Sequence, residues 1–163
     1  MFEALDDERV GSFIGGPDVT SVEATVARIE RVTAGPGPEW DEEWLNWAVL
    51  SNGTVIGRLE ATLRHDAVQA GVAEVAYVFG PRWWGKGYAT ESTAWMIGHL
   101  LEVHGVQQCW ATVDPRNAAS INLLDRLAFT VTDLPEFGLE SFDEGDLVFV
   151  LRPGDEGDAL LQE

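Results

Sequence analysis

The sequence predicts a single α/β domain, and three observations predict it. Two apolar runs, Trp44–Leu50 and Val55–Leu63, read as strands joined through Ser51-Asn52-Gly53-Thr54, a hairpin signal. A third run, Val72–Phe79, reads as a buried strand and passes through Gly80-Pro81 and Gly85-Lys86-Gly87 into a helical run, Ala89–Val103. The alternation then continues: a strand at Val106–Val113, a turn at Asp114-Pro115-Arg116-Asn117, a helix at Ala118–Leu127, and strands at Phe129–Thr132 and Leu147–Leu151. A chain of 163 residues can bury a real core as one domain. We place that domain at residues 1–152 and an acidic, glycine-rich tail at 153–163.

Taken in order, residues 2–14 set Phe2, Leu5, Val10, Phe13 and Ile14 among acids, which predicts a short amphipathic helix ending at Gly15-Gly16-Pro17. Thr20 with Glu23 has the form of a capping box, and Val22, Val26 and Ile29 recur at helical spacing, so a second helix runs to about Thr33. Gly35-Pro36-Gly37-Pro38 stops it. In the second strand of the hairpin Gly57, Leu59, Ala61 and Leu63 alternate with Arg58, Glu60, Thr62 and Arg64, which gives one apolar face and one wetter face. The helix after the glycine loop carries Trp95, Met96, Leu100 and Val103 and ends near Gly105.

Composition removes several function classes. One cysteine, Cys109, excludes an internal disulfide, and mid-strand among apolar neighbours it reads as a buried, inert thiol. His65, His99 and His104 have no ligand-like spacing, so no metal is expected. No run is long and apolar enough for a membrane, and the first residues lack the basic start of a signal peptide, so the expectation is a soluble cytoplasmic protein. A formal charge of −18 argues against a nucleic-acid partner and favours a cationic one, although acidity also simply maintains solubility. An anionic ligand would need the few cations concentrated locally, and Arg82, Lys86, Arg116 and Arg126 are the candidates.

The glycine loop is the chemically informative stretch. Glycines let successive N–H groups point at one spot, and the following helix adds its positive end, so a phosphate-bearing ligand is expected. Three motifs compete for it. Gly80, Gly85 and Lys86 fit a nucleoside-triphosphate loop, except that Gly87 stands where Ser or Thr must reach Mg²⁺. Gly85 and Gly87 open a dinucleotide fingerprint, but Thr90 replaces its third glycine. Arg-x-x-Gly-x-Gly is met in full by Arg82, Gly85 and Gly87.

That third motif resembles the acyl-CoA loop of the GNAT superfamily of N-acetyltransferases, and Trp84–Glu91, WGKGYATE, resembles its RimJ/RimL-type branch. About thirty residues on, Asn117-Ala118-Ala119-Ser120 matches the branch's Asn-x-x-Ser helix start, and Leu127-Ala128-Phe129 its Leu-Gly-Phe end, with Ala128 in place of the glycine. The resemblance covers about residues 3–151 and implies a GNAT acyl-CoA N-acyltransferase fold: a mixed, mostly antiparallel sheet flanked by helices on both faces. Two departures stand out. This sequence starts almost at the family's first helix, so either its usual first strand is absent or something else takes its place; a missing strand would leave a sheet edge that a second chain, as in a homodimer, could cover. The Tyr that many members use as general acid in the last helix is replaced near Leu124.

By that resemblance acetyl-CoA is the co-substrate, and a small-molecule or peptide primary amine is the acceptor, attacking directly in a ternary complex. The pyrophosphate would lie on Arg82, Trp84, Gly85, Lys86, Gly87, Tyr88, Ala89 and Thr90. The pantetheine arm would lie along the backbone of Tyr77, Val78 and Phe79, with Asn117 and Ser120 at its sulfur end. Glu74 is the implied catalytic or water-positioning carboxylate, with Glu60 as its rival, and Ser120 could give the thiolate its proton. Each has a plainer alternative: solvated strand carboxylates for the acids, helix capping for Asn117 and Ser120. Trp83, Trp84 and Trp95 would pack beneath the ligand, and Trp40, Trp44 and Trp47 would line the acceptor side or simply the core. A CoA-binding module without turnover is the alternative function, and a Mg²⁺-dependent phosphotransferase a third.

Overall fold

A computed structural model describes residues 1–14, 20–65 and 71–153. Two single-turn helices, α1 (Phe2–Leu5) and α2 (Glu8–Gly11), precede the longer α3 (Val22–Ala34). The hairpin β1 (Glu42–Ser51) and β2 (Thr54–Arg64) leads to β3 (Val72–Phe79), a 3₁₀ turn (Pro81–Trp83) and α4 (Tyr88–His104). The chain ends with β4 (Gln108–Val113), α5 (Ala118–Arg126), β5 (Thr130–Thr132) and β6 (Leu147–Leu151). The six strands form one sheet in the order β1-β2-β3-β4-β6-β5, antiparallel throughout except for the parallel β3–β4 pair.

Local chemistry explains most boundaries. Asn52 and Gly53 both have positive φ, 50° and 78°, which twists the two-residue turn to match its flanking strands. Gly105 ends α4 in the left-handed region with its N–H on the carbonyl of Leu100. On one sheet face Leu59, Ala61, Leu63, Ala73, Val75, Cys109, Ala111 and Phe149 bury against Met96, Ile97 and Leu100 of α4 and Leu123 and Leu124 of α5. On the other, Val72, Trp110, Val148 and Val150 pack with Phe137, Leu139 and Phe142 from the segment between β5 and β6. Ala4 and Leu5 of α1 pack beside Val78 and Trp83 on a smaller patch. No helix among the described residues is long and apolar enough to cross a membrane.

Three expectations change at the N-terminal end. The amphipathic stretch 2–14 is two separate turns because Asp7, whose carboxylate accepts from the Arg9 N–H, caps a new helix in the middle of it; its expected stop at 15–17 lies outside the described residues. The cap of α3 is Ser21, accepting from Ala24 N at 3.0 Å, rather than the Thr20–Glu23 box one residue earlier. The helix is where its periodicity puts it, but its face is reversed. Thr25 is buried and Arg28 pairs with Glu60 of β2, so Val22, Val26 and Ile29 face outward. Hydrophobic spacing alone does not say which stripe wins once an ion pair competes. The tail 154–163 also lies outside the described residues.

The parallel pair positions the site. β3 and β4 are in register only at Val72–Gln108, Ala73–Cys109 and Glu74–Trp110. Beyond Glu74 they diverge: β4 continues to Val113 paired with β6, while β3 continues to Phe79 paired with β2. The result is a notch whose β3 wall offers backbone groups that β4 does not take up.

Candidate active site

A cavity of about 440 Å³ opens at this notch. One wall is the end of β3, with Tyr77, Val78 and Phe79. The glycine loop forms the second, and its conformation follows from its sequence. Gly85 and Gly87 have φ of 68° and 85°, a region costly for side chains. Gly80 is required for another reason: a Cβ there would meet the Ala4 carbonyl oxygen at 2.2 Å. Trp84 closes the loop by donating its indole N–H to the carbonyl of Phe79 at 2.7 Å.

Gly87 is the N-cap of α4 and brings no side chain to it, and Glu91 N to Gly87 O is the first rung of the helix at 2.9 Å. The amides of Tyr88, Ala89 and Thr90 therefore precede the ladder with no capping side chain, at the positive end of a 17-residue helix. Open, glycine-lined and donor-rich, this corner fits a pyrophosphate.

The third wall is α5. Asn117 caps it, its side-chain oxygen accepting from Ser120 N at 3.1 Å, and Asn117 and Ser120 both line the cavity. The capping role is thus real and coexists with a place at the site. Tyr77 points across the notch, its hydroxyl 3.5 Å from the Ser120 carbonyl oxygen, and burial pushes its phenol up to about 12, so it stays protonated. Sequence reasoning uses Tyr77 for its backbone alone.

Of the residues expected at the site, the structure also brings Ala89 and Thr90 to the cavity, with Trp84, Gly85 and Gly87. Arg82, Lys86 and Tyr88 are not among its lining residues. The Arg82 guanidinium lies 5.7 Å from the Trp83 ring centre, and the Tyr88 hydroxyl is 3.3 Å from Ser51 Oγ.

Glu74 is engaged away from the cavity. It lies before the point where the strands diverge and lines no part of the cavity. Its carboxylate accepts from the backbone N–H of Glu140 at 3.0 Å and Ser141 at 2.7 Å, from the Ser141 hydroxyl, and from Arg64 at 3.4 Å. A side chain that is 6 % exposed and so fully engaged pins the β5–β6 segment to the sheet. Glu60, its rival, pairs with Arg28 and Arg58 and is likewise outside the cavity. Cys109 is buried, which pushes its thiol up to about 12, as expected of an inert core residue.

The aromatic residues divide similarly. Trp83 and Trp84 border the cavity, whereas Trp95 stacks on His99 at 5.3 Å and meets Trp47 edge-on at 5.9 Å, away from it. Trp40 is exposed, the Trp44 indole N–H donates to Glu42, and neither lines this cavity. Sequence reasoning misses the roof. Arg9, Val10, Phe13 and Ile14, from α2 and the turn after it, border the cavity. The sequence marks only the apolar residues of that stretch, and nothing local signals which element it covers.

Comparisons with known proteins agree with this architecture. An N-acetyltransferase of uncharacterised role, p20 of Bacillus licheniformis, is 37% identical over 59 residues, 36% of this chain and 33% of that protein. The matched stretch thus spans about a third of the relative's length. A crystal structure of an acetyltransferase from T. thermophilus superposes with a TM-score of 0.66 at 23% identity, covering 90% of this chain and 76% of that one. Mycobacterium smegmatis RimJ, solved in complex with CoA-disulfide, superposes with a TM-score of 0.61 at 21% identity, covering 86% and 62%. At these identities the likeness is one of fold. The model of the acetyltransferase (GNAT) domain family matches residues 1–130, and the chain belongs to that family.

Proposed function

We propose that this protein is an acetyl-CoA-dependent N-acetyltransferase of the RimJ/RimL-like branch, moving an acetyl group directly to a primary amine. One observation carries the reading: the divergence of β3 and β4 after Glu74 opens a notch directly beneath uncapped amides of a glycine-rich helix start. A pyrophosphate fits those amides, and a peptide-like arm fits the free edge of Tyr77–Phe79 as an added strand. Acetyl-CoA supplies the activated acyl group. A backbone N–H of β3 would polarise its carbonyl.

In the transfer the amine nitrogen forms the new C–N bond and the C–S bond breaks. The proton lost by the nitrogen goes to solvent water, and the thiolate takes one from Ser120, which regains one from solvent water; the Tyr77 hydroxyl helps to hold the Ser120 carbonyl. No carboxylate lines the cavity among the described residues, so water is the acceptor of choice for the first proton. The rate should therefore rise with pH towards the pKa of the amine itself, near 10 for an alkyl ammonium. A plateau well below that value would point to a protein base instead.

The acceptor we infer is a small cationic amine or a protein N-terminus, with the acidity of the chain, −18 overall, favouring the small cation through steering. A homodimer across the exposed edge of β1 is part of this reading. The test has two steps. Acetyl-CoA should raise the melting temperature where NAD and ATP–Mg²⁺ do not. Thiol release should then depend on added amine. Binding without amine-dependent release across a broad amine panel would favour the second reading, a CoA-binding module, which the engaged state of Glu74 supports.

A further inference from the structure

Two arginines border the cavity, and they come from different elements, Arg9 from α2 and Arg126 from α5. Arg9 reaches it from the roof, where Asp7 holds its Nε at 2.8 Å and its Nη2 at 2.7 Å. Its guanidinium carbon lies 6.0 Å from the centre of the Trp84 ring, so the charge stands over the glycine loop. Arg126 is the last residue of α5 and lines the same cavity, one turn beyond Asn122 on that wall. Among the described residues it has no ion-pair or hydrogen-bond partner.

The chain has ten Lys and Arg against 28 Asp and Glu, yet two arginines and no Asp or Glu line this cavity. Of the other arginines, Arg28, Arg58 and Arg64 pair with glutamates, and Arg116 with Asp114. Cavity walls carrying guanidiniums and no carboxylate suit an anion, and the planar five-donor fork suits phosphate in particular. Asp7 engages Nε and Nη2 of the Arg9 fork, which leaves Nη1 outside that pair.

We propose that Arg9 and Arg126 bind the phosphate groups of the acyl-CoA, Arg9 from the roof and Arg126 from α5. This rests on the reading of the cavity as an acyl-CoA site. It assigns the ligand's charge to two residues outside the glycine-loop motif. The loop cations Arg82 and Lys86 do not line the cavity. Asp7 is then a positioning residue: it caps α2 and presents Arg9 over Trp84.

The test is calorimetric titration of CoA and 3′-dephospho-CoA, at several salt concentrations, into the wild type, Arg9→Gln, Arg126→Gln and the double variant. Each single variant should weaken CoA binding about tenfold, about 1.4 kcal/mol, with a shallower dependence on salt because one charge contact is gone. If a residue contacts the 3′-phosphate its effect should vanish with 3′-dephospho-CoA; if it contacts the pyrophosphate the effect should persist. Wild-type affinity for CoA in the double variant would overturn the proposal. So would weaker binding with an unchanged salt dependence, since that marks lost packing rather than lost charge. A wild-type protein that binds neither ligand would instead remove the acyl-CoA reading itself.

Discussion

Ser120 and Asn117 illustrate how one residue can serve fold and site together. The Asn117 side-chain oxygen caps α5 through Ser120 N, and the same geometry turns both side chains to the cavity. If Ser120 protonates the leaving thiolate, Ser120→Ala should lower kcat by about 10²-fold, the low end for a general acid, while KM for acetyl-CoA stays close to wild type. An equal loss in both parameters would assign it to binding. Ala128 offers a stability test at the same scale. It sits at φ 62° just past α5, with Phe129 N–H on the carbonyl of Leu124, where the left-handed residue is normally glycine. Ala128→Gly should stabilise by up to about 1 kcal/mol, or roughly 2–4 °C in Tm, by removing the Cβ strain. An unchanged or lower Tm would mean that glycine's gain in unfolded-state freedom offsets it.

Among the elements, the segment between β5 and β6 depends on Glu74. Two backbone amides and a hydroxyl from Glu140 and Ser141 converge on that carboxylate, so Glu74→Gln, which turns one acceptor into a donor, should lower Tm clearly. A variant with wild-type Tm but little turnover would restore Glu74 to the chemistry. Glu140 gives a pH test of the same clasp. Its surroundings are Glu42, Glu74 and Arg64. Burial first, then the hydrogen bond and charge of Glu42, raise its carboxyl above the ordinary glutamate value. The native state therefore holds this proton to higher pH than the unfolded chain, and stability from this group falls as pH rises through that interval. Glu140→Gln should raise Tm at pH 7, and the gap should close as pH drops below the carboxylate range. A gap that stays constant with pH would refute the charge explanation.

For the whole molecule the governing quantity is charge. A formal −18 attracts a cationic acceptor and repels the polyanionic co-substrate. Added salt should therefore reduce kcat/KM for a cationic amine and leave it level for a neutral one, in steady-state assays at saturating acetyl-CoA. Equal responses would show that steering plays no part. The same scale explains how the fold reads out of the sequence. β3 and β6 lie where their apolar runs end, at Val72–Phe79 and Leu147–Leu151, and the Asn52-Gly53 turn fixes the β1–β2 register. These are short-range signals: buried strands and positive-φ turns are written in contiguous residues.

The sequence by itself determined the strand–loop–helix core and the glycine positions, because φ preferences and hydrophobic runs are local properties. It also supplied the wall residues that converge from β3, the loop and α5: Tyr77, Val78, Phe79, Gly85, Gly87, Asn117 and Ser120. Only the tertiary structure decided that Glu74 clasps a segment some sixty-six residues away, that α3 leaves its apolar stripe exposed while Arg28 pairs with Glu60, and that Arg9 and Phe13 roof the cavity. Each of these depends on partners distant in sequence. A carboxylate or an arginine has the same local appearance whether it meets solvent, a backbone amide or a ligand, and its role follows from what the fold places within reach.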